Sequence, residues 1–172
     1  MNKTLANQFE SLEAQRKELL SSLGSLPADK LNNHSEGHWS INQIIAHLIA
    51  AEKLSVAYLQ KKILAINEVD NTGIYEEIKM IGLIISQRLP LKFRAPRVVV
   101  ENTNQTTDIS QLEKEWAFAR EELRQLLEKV ADDQIKRRIY KHVRAGKLNI
   151  LHALIFFREH IIHHQPQIKR LM

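Results

Sequence analysis

The chain has 172 residues, 44% of them hydrophobic and 26% charged, with a formal net charge of +5 and no cysteine. One folded domain spanning residues 1–172 is expected from that size and composition. The missing cysteines exclude disulfides, thiolate metal ligands and a cysteine nucleophile, and the lack of an eighteen-residue apolar run or a signal-like start implies a cytoplasmic protein with no membrane partner.

Five Gly and four Pro are the only strong punctuation, and the intervals between them are rich in helix formers. From Asn2 to about Leu23, apolar residues Leu5, Phe9, Leu12, Leu19, Leu20 and Leu23 recur at helical spacing, with Gly24 following as a stop. A turn-rich stretch runs from Ser25 to Trp39. Ser40 and Gln43 then form a capping-box signature for a second helix, whose stripe Ile41, Ile44, Ile45, Leu48 and Ile49 continues through Leu54, Tyr58 and Leu59 towards Ala65. Between Glu68 and Thr107 the pattern predicts a helix near Ile74 to Arg88. The prolines of LPLKFRAPRVVVENTNQT argue against helix after it, so the region reads as a crossover or insertion. Ser110 with Glu113 reads as a second capping box, opening a helix to about Val130 with Leu112, Trp116, Ala119, Leu123, Leu126 and Leu127 inward. Asp132 to Gly146 reads as a charged connection. Asn149 then opens a helix in which ten of the fifteen residues from Leu148 to Ile162 are hydrophobic, as suits a central position. The expected fold is all-α, a four-helix bundle with a long crossover between the second and third bundle helices.

Within this frame three histidines share a pattern. His160 and His164 are four apart, hence one turn apart on one helix face, with Phe156, Phe157 and Ile168 as apolar neighbours. His47 has Ile44, Ala50 and Ala51 as its own facial neighbours, so it points inward from a different helix. A buried imidazole needs a partner. A single such histidine is ordinarily a core residue satisfied by one hydrogen bond, and spacing alone leaves both that reading and metal ligation open.

Two segments carry a resemblance. GHWSINQIIAHLIAAE, Gly37 to Glu52, is similar to the W-S-(six residues)-H-L signature of the DinB-like family, which includes bacillithiol and other thiol S-transferases. GKLNILHALIFFREHIIHHQPQIKRL, Gly146 to Leu171, resembles the last helix of that family, with its G-x-L opening and H-x-x-x-H-x-x-Q ending. The resemblance implies that His47, His160 and His164 ligate one divalent metal ion; imidazole suits zinc, nickel, copper and iron alike, so the ligands do not single one out, and zinc or nickel is expected. Pro166 departs from a smooth helix: it removes the amide that would bond the Ile162 carbonyl, so a kink or loosening is expected beyond His164 and the place of Gln167 is left open.

Three neutral imidazoles add no charge, so a dication would keep its full charge and open positions for water or substrate. The resemblance implies transfer of a low-molecular-weight thiol to an electrophile, with metal-assisted hydrolysis as the nearby alternative. The contrasting reading is a non-catalytic helical module, a homodimer in one form, with a structural metal or a metal-free histidine cluster. Gln43, Glu52 and Glu159 are near enough in sequence to orient the imidazoles, although each singly suits a solvated or helix-pairing role. His163 points about 100° away from His164 and reads as an outer or interface residue, with replacement ligation as its other role. His152 falls off the line of the pair, and His34, His38 and His142 read as exposed loop residues. The basic run KRRIYKHVRAGK, Lys136 to Lys147, leads into the ligand helix and could bind the carboxylates of an acidic thiol, with Arg137 and Arg138 as its anchors. Nucleic acid is not an expected partner, because the charge excess is modest and no Lys/Arg block occurs.

Overall fold

A computed structural model describes residues 1–35, 37–89, 93–103 and 108–172. The chain is mostly helical, with one two-stranded sheet among the described residues. The helices are α1 (Lys3–Leu23), α2 (Ala28–Asn32), α3 (Ile41–Lys62), α4 (Ile74–Arg88), α5 (Arg97–Glu101), α6 (Ile109–Glu128) and α7 (Ile150–Leu171). Strands β1 (Tyr140–His142) and β2 (Gly146–Leu148) form an antiparallel hairpin that pairs Tyr140 with Leu148 and His142 with Gly146.

Local chemistry explains most boundaries. The Asn2 side chain accepts from the Thr4 amide at 2.8 Å and starts α1. At α3 the Ser40 hydroxyl accepts from the Gln43 amide at 3.2 Å while the Gln43 side chain accepts from the Ser40 amide at 2.9 Å, the reciprocal capping box. Asn149 caps α7 through the His152 amide at 2.9 Å. At α6 the cap is Asp108, whose carboxylate accepts from the Ser110 amide at 2.9 Å, and not Ser110. A carboxylate two residues earlier is the better acceptor for the helix's free amides and interacts favourably with its dipole.

Other expectations need correction. Helix α3 ends at Lys62, and a 3₁₀ segment Ile63–Glu68 with non-helical Ala65 replaces its last predicted turn. The turn-rich stretch before Trp39 contains α2; Glu36 lies outside the described residues. In the proline-bearing stretch, Pro96 is the residue ahead of α5, where a missing amide is harmless, so a short helix forms despite it. Residues 90–92 and 104–107 of that stretch lie outside the described residues. The supposed charged connection carries the hairpin: Tyr140 and His142 face inward and Lys141 outward, the period of two of a half-buried strand. Gly146, at φ +76°, occupies a backbone conformation that a side chain would strain. Helix α7 continues past Pro166 to Leu171.

Helix α3 packs against α6 and α7, and α1 packs against the same two helices; α4 lies on α7, and the hairpin touches α3 and α7. The core includes Leu5, Leu12, Leu23, Ile41, Ile44, Ile45, Leu59, Leu112, Trp116, Leu123, Leu154 and Ile161. It also holds a buried charged network. Arg120 of α6 pairs with Glu52 of α3, and Trp116 Nε1 donates to Glu52 at 3.1 Å.

Candidate metal centre

The second turn of α3 and the third and fourth turns of α7 face each other, and their contact brings His47 to His160 and His164. The Nε2 atoms of His47 and His160 are 3.3 Å apart, and one nitrogen from each of the three rings lies within 4.8 Å of the others. Ring centroids are 5.1 Å apart for His47 and His160, 5.2 Å for His47 and His164, and 5.0 Å for His160 and His164. The sequence motif therefore closes into one cluster. Two nitrogens bound to one tetrahedral ion at about 2.0–2.1 Å stand about 3.3–3.4 Å apart, so the His47 and His160 pair already has the separation of ligands to a common ion.

Burial keeps the rings uncharged. It lowers the His47 pKa to about 3, with His164 and His163 adding repulsion, and it drives His160 well below the usual imidazole range. His164 is lowered to about 4, again mainly by burial. Its Nδ1 stands 3.0 Å from Gln167 Oε1; a carbonyl oxygen only accepts, so Nδ1 carries the proton and Nε2 keeps its lone pair for the cluster. Trp39 leans on His47 with ring centroids 4.9 Å apart, while His47 Nδ1 is buried without a hydrogen-bond partner. The donor set thus consists of neutral nitrogens with available lone pairs, which fits a divalent cation of intermediate softness.

The cluster opens into a cavity of about 300 Å³. Leu54, Tyr58, Val98, Val99 and Val143 give it apolar walls, and Arg94 and Arg144 give it positive ones. The Arg144 guanidinium lies 4.0 Å over the Phe93 ring, which stacks in turn on His163 at 5.6 Å.

Several other residues fall differently from their sequence reading. His163 takes the interface place rather than the outer one: it lies where α7 meets α4 and lines the cavity, its Nδ1 donating to the Gln87 carbonyl at 2.8 Å. His142 is buried rather than exposed, and lines the same cavity. The hairpin turn folds over it, so that the amides of Arg144 and Ala145 donate to its Nδ1 at 3.3 and 3.2 Å. Nε2 therefore carries the proton. Burial, aided by Arg144, lowers its pKa to about 4. The proposed orienting residues are otherwise engaged. Gln43 is used in its capping box, Glu52 pairs with Arg120, and Glu159 holds Arg88 bidentately at 2.8 and 2.9 Å. Gln167 takes that place instead, because an unbroken α7 sets it one turn beyond His164. Nor do the expected anion anchors reach the cavity: Arg137 donates to the Val69 carbonyl at 2.7 Å and Arg138 pairs with Glu76 at 3.4 Å. Arg144 of the same run lines it. His152 bonds Glu77 at 3.1 Å, away from the cluster, and His34 and His38 are exposed as expected. The period-two burial around Tyr140 was the signal that would have placed His142 inside.

A mostly helical protein with three neutral imidazoles gathered at a cavity is the class that fold and site define. The DinB superfamily model matches residues 11–168, nearly the whole chain, and the protein belongs to that superfamily. No curated protein and no solved structure gives a match.

Proposed function

We propose that His47, His160 and His164 hold one divalent metal ion, zinc or nickel, and that the chain is a metal-dependent enzyme acting on a small-molecule thiol or on water. The observation that carries this reading is the convergence of three uncharged imidazole nitrogens at the end of a cavity large enough for a small substrate. Bound there, the ion would lower the pKa of a thiol or water that reaches it, making a nucleophile near neutral pH. The arrangement of α1, α3, α6 and α7, in which α1 and α3 each pack on both of the others, supports a four-helix bundle with the 63–108 segment as crossover.

The chain's own groups then have separable roles. Gln167 holds the His164 ring in the tautomer that leaves Nε2 as donor of its lone pair. The apolar walls exclude bulk water and strengthen polar contacts within. His142, held neutral with its proton on Nε2, presents a hydrogen-bond donor to an oxygen or sulfur acceptor in the cavity. Arg94 and Arg144 favour an anionic substrate, and the thiol partner implied by the family resemblance would meet them. A structural ion would ask for a fourth protein ligand; among the described residues the group able to hold a metal consists of these three, which supports an open site.

Elemental analysis of the purified protein beside a His160→Ala variant tests the reading. One equivalent of metal per chain is expected in the parent and only trace metal in the variant, which lacks one of the three ligands. Equal trace metal in both rejects it. A thiol-conjugation assay against model electrophiles, with and without chelator, then separates an enzyme from a metal-stiffened module.

A further inference from the structure

We propose that the outer face of α4 is the contact between two copies of this chain, paired antiparallel through that helix about a two-fold axis near Gly82. Helix α4 carries two apolar stripes where an ordinary surface helix carries one. The inner stripe, with Met80 and Leu83 between Glu76 and Gln87, is buried on the side that packs on α7. The outer one is Ile74, Ile78, Ile81 and Ile85, spaced four, three and four, with Tyr75 and Leu89 beside it, all between 48% and 81% exposed.

Nothing among the described residues covers that stripe. Six large apolar side chains in this state present on the order of 600 Å², the upper end of the patches found on monomers, and close to the roughly 800 Å² per partner of a standard interface. Gly82 lies on the same face, in the middle of the helix. A side chain there would meet nothing within 4 Å, and its backbone is not left-handed, so no intrachain contact requires glycine. Glycine at mid-helix costs about 1 kcal/mol relative to alanine, and close approach of a second helix is what it permits.

The stripe also says which occupant fits. Its flanks carry Glu77 and Lys79 rather than the row of Lys and Arg that seats an amphipathic helix on a membrane. Exposed Glu77 stands near one end of α4 and exposed Arg88 at the other, each with one partner in its own chain, His152 and Glu159. An antiparallel copy brings the acidic end of each helix to the basic end of its mate, and opposes the helix dipoles. An axis near Gly82 sets Ile78 against the partner's Ile85, so one stripe is its own complement, as a two-fold contact requires. This inference is independent of the metal reading, although it braces a wall of the cavity, since Gln87 of α4 anchors His163.

Sedimentation equilibrium on the full chain provides the test. The parent is expected at twice the mass of a single chain at high micromolar concentration. Ile81→Asp should weaken the association on the order of a hundredfold, as removal of a central anchor does. Gly82→Leu supplies the control for folding, because the monomer has open space there and leucine favours helix, yet the pairing has no room for it. Since the chain has no cysteine, Ile81→Cys should cross-link to its symmetry mate on mild oxidation, whereas Leu64→Cys, exposed but off α4, should not. A parent that sediments as a single chain, with or without binding to anionic vesicles, overturns the proposal. So does a dimer that tolerates both Ile81→Asp and Gly82→Leu.

Discussion

Gln167 and His142 differ from the three converging histidines in that each acts through one hydrogen bond whose direction is set by chemistry. Because Gln167 Oε1 can only accept, it holds the proton on His164 Nδ1. Gln167→Leu removes that orientation without emptying the core, and metal affinity should fall by about 10–100-fold with the thermal midpoint of metal-free protein little changed, as isothermal titration and calorimetry would show. His142 and His47 are buried and have pKa values lowered to about 4 and about 3. Both stay neutral when folded and take up a proton near pH 6.5 when unfolded, so the unfolded state binds more protons as pH falls. The stability they contribute is complete above pH 6.5 and is lost as pH drops towards 4, by up to about 1.4 kcal/mol per pH unit for each ring. Chelator-treated protein should therefore show a falling midpoint between pH 6.5 and 4.5, and His142→Gln should reduce the slope. A slope unchanged by that substitution would contradict the burial assigned to His142.

At the scale of elements, the pairing of α3 with α6 fixes the height at which His47 is presented to α7. That pairing is not wholly apolar. Glu52 and Arg120 are both buried, with Trp116 completing the carboxylate's contacts. Desolvation raises the Glu52 pKa while Arg120 opposes it, so the carboxylate depends on the guanidinium to stay charged. Removing one partner of a buried pair costs about 3–5 kcal/mol. Arg120→Leu should accordingly lower the melting temperature on the order of 10 °C for a chain of this size, and Glu52→Gln with Arg120→Leu together should recover part of it. Circular dichroism melts of the two variants decide this. The basic run ahead of the β1–β2 hairpin shows a second effect of packing between elements: the Thr72 hydroxyl donates to the Lys136 carbonyl at 3.1 Å, and Arg137 donates to the Val69 carbonyl. These ties hold the basic run against the segment before α4, so its charges are divided between structural bonds and the cavity wall.

Considered as a whole molecule, a cation bound at the cluster joins α3 to α7, two helices whose relevant residues are 113 positions apart in the chain. A ligand that binds only the folded state adds stability as its concentration exceeds its dissociation constant, about 4 kcal/mol at a thousandfold excess. Zinc or nickel should thus raise the melting temperature of the parent in a concentration-dependent way and leave His160→Ala unmoved. The sign holds whether the site is catalytic or structural, so this measurement tests ligation separately from activity.

Helix positions, the capping box at Ser40, the inward stripe of α3 and the one-turn spacing of His160 and His164 are all readable from residue order, because they depend on interactions within a few residues of one another. The motif pair also sufficed to name the three converging rings and the superfamily. What needed tertiary structure was every role settled by contacts between distant segments: His142 drawn inward by the hairpin, Arg144 rather than Arg137 at the cavity, and Glu52 claimed by Arg120. Local patterns state which side of an element is apolar, but which polar group a buried side chain meets depends on where the rest of the chain has folded.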